Sequence, residues 1–254
     1  MKRDLVFRKP LMNAAGSLGF APDSHAGVSL DSFGAFVTNP ISLRPRLPTA
    51  GPAVIEYPGG FLLHTGLPNP GFREAVKKYS AKWTRSELPV IVHLMADRPE
   101  ETQKMVRRLE SHENVMAVEL GFAPQLADDI LLLTLEMCLG EIPLIFSLPV
   151  EQLLSLGPRL MQEGAQAISL AAPRGALNPL PSGEGWVREF ISGRLFGPSL
   201  FPQTLNVVDS AARLGLPIIG AGGVWSMENA EAMLSVGALA VQVDAALWNP
   251  AISM

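Results

Sequence analysis

Two glycine-rich turns near the end of the chain hold the residues best suited to bind a phosphate group. An apolar run leads into GAGGV at residues 220–224, and a second leads into DAA at residues 244–246. Glycine allows backbone N–H groups to approach an anion closely because no β-carbon stands in the way. Plain turn geometry also explains these glycines, and the carboxylate of Asp244 would repel a phosphate.

The segment at residues 34–72 has the layout of an active-site lid. A buried-strand pattern at residues 35–38 is followed by a Pro-rich stretch that returns through HTGLPNPG at residues 64–71. The segment contains no Lys, Cys or Asp, so it offers a pocket with little reactive chemistry. Histidine titrates near neutral pH, which makes His64 a candidate proton acceptor; a hydrogen-bonded structural histidine is the alternative.

Other ionisable side chains have structural as well as functional explanations. His93 lies near the end of an apolar strand pattern and Glu119 near the end of the next, where we expect the carboxylate to be paired inside the fold. Arg44, Arg46 and Arg174 lie in loops, where they could supply positive charge to a site or could be solvated.

The single cysteine, Cys138, lies in an apolar helical pattern and is expected to be a buried, inert thiol. One cysteine excludes an internal disulfide and any multi-cysteine metal site within this sequence. No set of His, Asp and Glu residues has metal-ligand spacing. The sequence therefore predicts no metal site.

Composition excludes several classes of function. The chain has 254 residues, of which 48% are hydrophobic and 17% charged, and its net charge is −4. No basic field is present to hold nucleic acid or an anionic membrane. The first ten residues lack the apolar region of a signal peptide, and no apolar run reaches the ~18 residues of a membrane span. We expect a soluble, cytoplasmic protein.

Apolar runs that alternate with helical patterns predict the fold class, α/β. Continuous rather than alternating apolar runs are typical of parallel strands covered on both faces. Eight of them favour a (β/α)8 TIM barrel, expected to form one domain over residues 1–254. The predicted strands are residues 11–15, 35–38, 90–95, 116–121, 143–148, 167–171, 217–220 and 240–244.

Local signals place some of the helix ends. Asp97 is expected to cap a helix that runs through Leu109, and Ser226 to cap another. Gly164 and Gly237 stand where helices should stop. After the last strand only ten residues remain, so the last outer helix is predicted to be absent.

Two long insertions, residues 40–63 and 172–197, follow the second and sixth predicted strands. Both follow the carboxyl ends of their strands, which is the face where barrels of this kind build their sites. Long loops in such places are commonly functional.

Five motifs occur in a characteristic order along nearly the whole chain. They are NAAG (residues 13–16), GAFVT (34–38) followed by Arg44 and Arg46, GLPNPG (66–71), GRLFGPSLFP (193–202), and GAGGV with ENA and GALAVQV (220–243). Together they resemble the dihydroorotate dehydrogenases, in particular the class 1 enzymes. They are similar to that family's N-A-S-G, G-A-x-x-T-K, G-L-x-N-x-G and G-x-S-G-x-x-x-x-P motifs and to its C-terminal flavin-phosphate region.

The resemblance implies an FMN across the C-terminal mouth of the barrel and a dihydroorotate substrate. In that family the flavin accepts a hydride from C6 of dihydroorotate while a side-chain base removes the C5 proton. The cofactor-binding residues that the resemblance implies are Ala15, Gly16 and Thr38 along the flavin, Gly222, Gly223, Asp244 and Ala245 at its phosphate, and also Asn39 and Gly197. The implied substrate-binding residues are Gly66, Leu67 and Asn69, of which Asn69 would face the substrate.

The chain departs from the family where the chemistry is done. The family's Cys or Ser base belongs after the fourth strand, where this chain has ELGFAPQ at residues 119–125, with Pro124 about at the base position. The family's lysine after the second strand is Asn39 here, and its lysine on the fifth strand aligns with Phe146. A substrate-side asparagine aligns with Leu63. General-base catalysis contributes ~10²–10⁴ in rate, so this loss is severe.

Three functions remain open from the sequence. The first is an FMN-dependent oxidoreductase of dihydroorotate dehydrogenase type, in which His64 replaces the lost base. The second is a catalytically degenerate relative that acts as a ligand-binding or partner subunit, with or without flavin. The third is a barrel lyase or isomerase of phosphorylated small molecules. A small-molecule ligand and either a homodimer or a partner chain are expected.

Overall fold

Eight parallel strands form a closed barrel in the computed structural model, which describes residues 4–23, 28–51, 53–178 and 190–249. All eight strands predicted from apolar runs are present, so the (β/α)8 fold is confirmed.

The strands of the described residues are β1 (Leu11–Asn13), β2 (Phe33–Val37), β3 (Val54–Tyr57), β4 (Gly60–Leu63), β5 (Val90–Met95), β6 (Val115–Gly121), β7 (Leu144–Leu148), β8 (Ala167–Leu170), β9 (Arg174–Leu177), β10 (Ile191–Phe196), β11 (Ile218–Gly220) and β12 (Ala240–Val243). The barrel strands pair in the order β1-β12-β11-β8-β7-β6-β5-β2.

Alternate residues of the barrel strands build two separate cores. The inward set, which includes Met12, Ile91 and Ile145, fills the barrel. The outward set, which includes Phe36 and Phe146, packs beneath the helices. Because both faces of each strand are buried, the sequence shows continuous apolar runs.

The described residues form six α-helices that cover the barrel: α1 (Phe72–Arg85), α2 (Pro99–Leu109), α3 (Asp128–Cys138), α4 (Val150–Glu163), α5 (Phe201–Arg213) and α6 (Met227–Ser235). Ser226 caps α6 by accepting a hydrogen bond from the Asn229 N–H at 3.3 Å, as predicted. The predicted cap at Asp97 is wrong by one residue, since Arg98 is the extended residue that precedes Pro99.

Among the described residues, no α-helix follows β12; a 3₁₀ helix, Ala245–Trp248, stands there instead. This agrees with the predicted absence of the last outer helix, although residues 250–254 lie outside the described residues. The described residues between β1 and β2 also contain no α-helix, which the sequence did not indicate. None of the described helices is long and apolar enough to cross a membrane. The cytoplasmic location stays a prediction.

The two long insertions are not simply loops. Each contributes two antiparallel strands to one four-stranded sheet. This lid sheet consists of β3, β4, β10 and β9, in that order. Arg194 of β10 lies opposite Leu63 of β4 on one side and Arg174 of β9 on the other. Residues 179–189 of the second insertion lie outside the described residues. The sheet joins segments about 130 residues apart, as Leu63 and Arg194 show.

Gly197 joins the lid sheet to the helical layer in a conformation that only glycine adopts readily. Its φ is 137°, and a β-carbon there would lie 2.4 Å from the carbonyl oxygen of Gly59. The backbones of the β3–β4 turn and of residue 197 therefore touch directly. This close approach accounts for the glycine independently of any cofactor.

Gly197→Ala is expected to lower the free energy of unfolding by at least about 2 kcal/mol, since it adds both backbone strain and a backbone clash. Gly215→Ala is the matched control, because Gly215 also has a positive φ, of 72°, but a β-carbon there meets nothing within 4 Å. The control should cost only about 1 kcal/mol. Urea denaturation of both variants measures the difference, and equal losses would show that the contact with Gly59 does not matter.

Candidate functional site

A buried carboxylate organises the inside of the barrel just below its C-terminal mouth. Glu119 Oε2 lies 2.7 Å from Nδ1 of His93, and Glu119 Oε1 accepts hydrogen bonds from Ser169 Oγ at 2.6 Å and from Gln242 Nε2 at 2.8 Å. These partners come from β5, β8 and β12, so four strands are joined across the barrel. The prediction that Glu119 is paired inside the fold is confirmed.

Hydrogen bonding decides the ionisation of this carboxyl. Burial raises the pKa of Glu119, but the hydrogen bond and charge of His93 and the bonds from Ser169 and Gln242 outweigh it, so the pKa lies below its ordinary value. His93 Nε2 faces Gly121, where a β-carbon would lie 2.4 Å from it. The His93 backbone N–H donates to Thr38 Oγ1 at 3.0 Å. His93 is thus hydrogen-bonded at both its ring and its backbone.

Glu119→Gln is expected to destabilise the protein by about 3 kcal/mol at pH 7, because an amide cannot accept from all three donors. The lowered pKa means that the carboxylate stabilises the fold fully above the ordinary value of 4.5 and loses this effect as pH falls. The difference in free energy of unfolding between wild type and variant should therefore become smaller below that pH. Glu136→Gln, an exposed carboxylate on α3, is the control and should change stability little. A difference in free energy of unfolding that does not change with pH would contradict the conclusion that Glu119 is ionised.

Asn13 and Asn39 hold the loops at the mouth through their side-chain amides. Asn13 Nδ2 donates to the Val37 carbonyl at 2.7 Å, and its Oδ1 accepts from the Val37 N–H at 2.9 Å. Asn39 Oδ1 accepts from the Gly19 N–H at 3.0 Å. Thr38, as noted, accepts from the His93 N–H. These bonds fix the loop geometry; the cofactor contacts of Thr38 and Asn39 stay predictions.

The turn after β11 presents backbone N–H groups that remain available. Gly222, Gly223 and Val224 are buried, and within the described residues no acceptor is bonded to their N–H groups. The Gly222 carbonyl accepts from Thr204 Oγ1 at 2.7 Å, so the turn is anchored to α5. Unpaired buried N–H groups are costly, and an anion would satisfy them. The described geometry thus supports the predicted phosphate contact at Gly222 and Gly223 without testing it.

The turn after β12 differs, because it already carries its own anion. Asp244 Oδ1 accepts from the Ala245 N–H at 2.6 Å. Burial raises the pKa of Asp244 to about 6, against the backbone hydrogen bonds and the charge of Arg194, which lower it. The carboxylate occupies the donor that the resemblance assigns to phosphate. The roles of Asp244 and Ala245 at a phosphate therefore stay predictions that compete with this bond.

Asp244→Asn is expected to stabilise the protein at neutral pH. A carboxyl whose folded pKa is about 6 rather than 3.8 binds its proton more tightly in the folded state, so stability falls as pH rises through that interval. Asparagine keeps the hydrogen-bond acceptor and removes the charge. The free energy of unfolding should therefore rise by about 3 kcal/mol at pH 7 and hardly change at about pH 4. Thermal melts against pH measure this, with exposed Asp97→Asn as the control. An equal gain at both pH values would rule out the buried charge as the cause.

A pocket lies between the lid sheet and the ends of β1 and β12. Its enclosed volume is about 10 Å³, which holds roughly one water molecule. The Arg194 guanidinium projects into it: a β-carbon on Gly16 would lie 3.5 Å from Nη2, and the guanidinium carbon lies 5.6 Å from the centre of the Phe196 ring. The lining residues are Ala15, Gly16, Ser17, Leu63, Arg194, Phe196, Asp244 and Trp248.

The Asn69 side chain holds the loop at residues 64–71 together. Asn69 is buried, and its amide bonds to Ser42, to the Leu67 carbonyl and to the Gly71 N–H. Gly66 and Leu67 have positive φ values of 74° and 54°. The substrate contacts of Gly66, Leu67 and Asn69 stay predictions, since these bonds already engage the Asn69 side chain.

His64 lies at the end of β4 and is bonded to the neighbouring strand. Its Nδ1 lies 2.7 Å from the Ser192 carbonyl, so Nδ1 carries the proton and Nε2 is the acceptor in the neutral ring. This geometry leaves a proton-accepting atom but does not test the predicted role of His64 as a base.

The position of Phe146 corrects one part of the sequence alignment. Its ring stacks on Phe122 at 5.4 Å in the outer core, so it faces the helices and not the mouth. Ser147 faces inward instead, beside Ser169 in the register of β7 and β8. The alignment of Phe146 with an active-site lysine is therefore wrong by the one residue that separates the two faces of a strand.

The structure also bears on the environment of Cys138 and on possible metal ligands. Cys138 is buried, and burial raises the pKa of its thiol to about 12, although the charge of Arg107 opposes this. The predicted burial of this thiol is confirmed, and its lack of reactivity stays a prediction that the raised pKa supports. Among the described residues, no group of three or more His, Cys, Asp or Glu side chains could hold a metal ion.

Comparisons with known proteins agree with the motifs. The family model for dihydroorotate dehydrogenase matches residues 3–124. The dihydroorotate dehydrogenase B (NAD(+)) catalytic subunit of Pelobacter propionicus is 30% identical over 257 residues, which cover 95% of this chain and 84% of the relative. The subunit of the same name from Trichlorobacter lovleyi is 30% identical over 97% of this chain and 86% of the relative. The chain belongs to the dihydroorotate dehydrogenase family. The corresponding Geobacter sulfurreducens subunit is 27% identical over 95% of this chain.

Dihydroorotate dehydrogenases are FMN-containing oxidoreductases of pyrimidine biosynthesis. The residues of this chain fit the two parts of that cofactor differently. The free N–H groups of the turn after β11 suit its phosphate. The recess beside Ala15 and Gly16 is too small for a three-ring flavin, because Arg194 and Phe196 line it and its enclosed volume is only about 10 Å³.

Sequence reasoning missed Arg194, although a signal was present. When the family's G-x-S-G-x-x-x-x-P motif is aligned on Gly197 and Pro202, its first Gly falls on Arg194 and its Ser on Phe196. Two bulky side chains therefore replace two small ones in one short motif. The motif alone does not show that Arg194 enters the pocket, because this depends on the position of β10 over the mouth of the barrel.

Proposed function

We propose that this chain is a ligand-binding member of the dihydroorotate dehydrogenase family that does not oxidise dihydroorotate. The observation that carries the proposal is the Arg194 side chain, which fills the space beside Ala15 and Gly16 where the flavin ring is expected. Without a flavin at this place, no hydride acceptor faces the substrate.

The loss of a proton acceptor supports the same conclusion independently. The loop after β6 supplies Phe122, Ala123, Pro124 and Gln125, none of which can take a proton from carbon. His93 is bonded to Glu119 below this loop. Two separate requirements of the reaction, the electron acceptor and the base, thus lack their residues, while the strands and their cores are intact.

The catalytic oxidoreductase remains the second candidate because of two observations. The N–H groups of Gly222 and Gly223 are suited to the phosphate of FMN, and His64 keeps Nε2 as an acceptor. In that candidate FMN would supply hydride acceptance, Gly222 and Gly223 would hold its phosphate, and His64 would take the substrate proton. Arg194 would have to leave the pocket.

Visible spectroscopy of the full chain separates the candidates. After incubation with FMN and removal of the excess, wild type is expected to retain little flavin, and dihydroorotate added under anaerobic conditions is expected to bleach none of it. The double variant Arg194→Gly/Phe196→Ser, which opens the ring space, should bind FMN at least about tenfold more tightly.

The outcomes point to different conclusions. Bleaching of bound flavin by dihydroorotate in the wild type would refute the proposal, and loss of that bleaching in His64→Ala would establish the second candidate. Tight FMN binding without bleaching would show that Arg194 yields to the cofactor while the chemistry is still lost. A thermal melt of the double variant controls for folding.

The relatives' names also bear on partners. They describe a catalytic subunit, which supports a second polypeptide as partner for this chain as well. We propose such a partner, with a homodimer as the other arrangement. Co-purification from the native host, followed by size measurement, distinguishes the two.

A further inference from the structure

The Arg194 guanidinium is a partly buried cation that lacks an acceptor. Within the part of the chain that the structure describes, it makes no hydrogen bond and no ion pair, and its only specific contact is with the face of the Phe196 ring. A guanidinium has five N–H donors and stays charged in proteins. Each of these donors that is unpaired and screened from water raises the free energy of the site, which favours a ligand that supplies the acceptors.

A second guanidinium stands beside it on the same face of the lid sheet. Arg174 of β9 is the direct register partner of Arg194 of β10, and opposite residues of an antiparallel pair point the same way. Like charges in such a pair destabilise the sheet. Burial together with the charge of Arg174 lowers the pKa of Arg194 to about 10. An anion between or beneath the two side chains would remove this repulsion.

The nearby carboxylate does not fill this role. Asp244 lines the same pocket and attracts Arg194, but its Oδ1 is bonded to the Ala245 N–H, and it forms no ion pair with the guanidinium. Among the described residues, the charges that act on this pocket are those of Arg194, of the exposed Arg174 and of Asp244, so positive charge exceeds negative charge by one. The imbalance favours a bound anion with at least one negative charge.

We infer that the pocket under the lid sheet binds the carboxylate or phosphate group of a small molecule, and that Arg194 is its direct ligand. The inference rests on the proposed function, since a flavin ring and this anion would need the same space. Arg194 would bind either group through two parallel hydrogen bonds, as guanidinium forks commonly do. Arg174 would add charge from the rim.

The size of the pocket limits the ligand. The enclosed part holds about one water molecule, and the whole recess, including space open to solvent, measures about 200 Å³. The rings of Phe61, Phe196 and Trp248 pack on one another at 5.6–6.3 Å and close one wall. A single-ring carboxylate or a small phosphate ester suits this space, with its anionic group inward and its remainder at the opening.

Tryptophan fluorescence tests the inference on the full chain, because Trp248 lines the pocket. Titration with orotate, a single-ring carboxylate, and separately with inorganic phosphate is expected to give a saturable change for at least one of them. Arg194→Gln should weaken binding at least about tenfold, since both charged hydrogen bonds are lost. Asp244→Asn should tighten it by about fivefold, because a competing negative charge is removed. Arg85→Gln, an exposed arginine on α1, is the control of equal charge change.

Each possible result supports or overturns the inferred anion site. Equal affinity in wild type and Arg194→Gln would overturn the inference, including the case in which phosphate binds at the turn after β11 instead. No saturable binding of either anion would also overturn it, without touching the proposed function. Bleaching of flavin by dihydroorotate would overturn the proposed function even if anions bind. Trp248→Phe, which should lose the signal while thermal shift still reports binding, confirms that the signal comes from the pocket.

Discussion

The ionised carboxylate of Glu119 is the constraint around which the barrel is arranged. A charge buried at the centre of a barrel is tolerated only if donors surround it, and here they come from His93, Ser169 and Gln242 on three other strands. A shift of any of these strands by one residue would turn its donor outward and leave the charge unpaired. The polar layer thereby fixes which residues face the mouth, and the apolar layer of Met12 and Ile91 beneath it only fills space.

The lid sheet acts on the mouth that this layer fixes. Close backbone contact at Gly197 and the packed rings of Phe61, Phe196 and Trp248 hold the sheet against the barrel ends. This attachment aims Arg194 at Gly16 and Asp244 rather than at solvent. The family fold is kept, and under the proposed function two side chains on one strand change what the mouth can accept.

Local signals in the sequence were sufficient for the barrel and insufficient for the site. The eight strands were predictable because residues buried on both faces produce continuous apolar runs, and Ser226 because capping is a local interaction. The lid sheet was not, since its short strands pair across about 130 residues of chain. The alignment put the family's lysine at Phe146, one residue from the inward-facing Ser147, because successive residues of a strand point to opposite faces. The burial of Arg194 depends on both the sheet and the barrel, so no single motif reveals it.

The seam between β1 and β12 has a consequence for how the protein forms. These strands pair although residues 11 and 241 stand near opposite ends of the chain, and the Trp248 indole N–H bonds across the same seam to the Ser17 carbonyl at 2.8 Å. Contacts of such high sequence separation form late, because the entropy of closing a very long loop must be overcome first. During synthesis, residues up to 248 have to leave the ribosome before both contacts of the seam can form. Since Ala15 and Asp244 lie on its two sides, the pocket is absent from every shorter nascent intermediate.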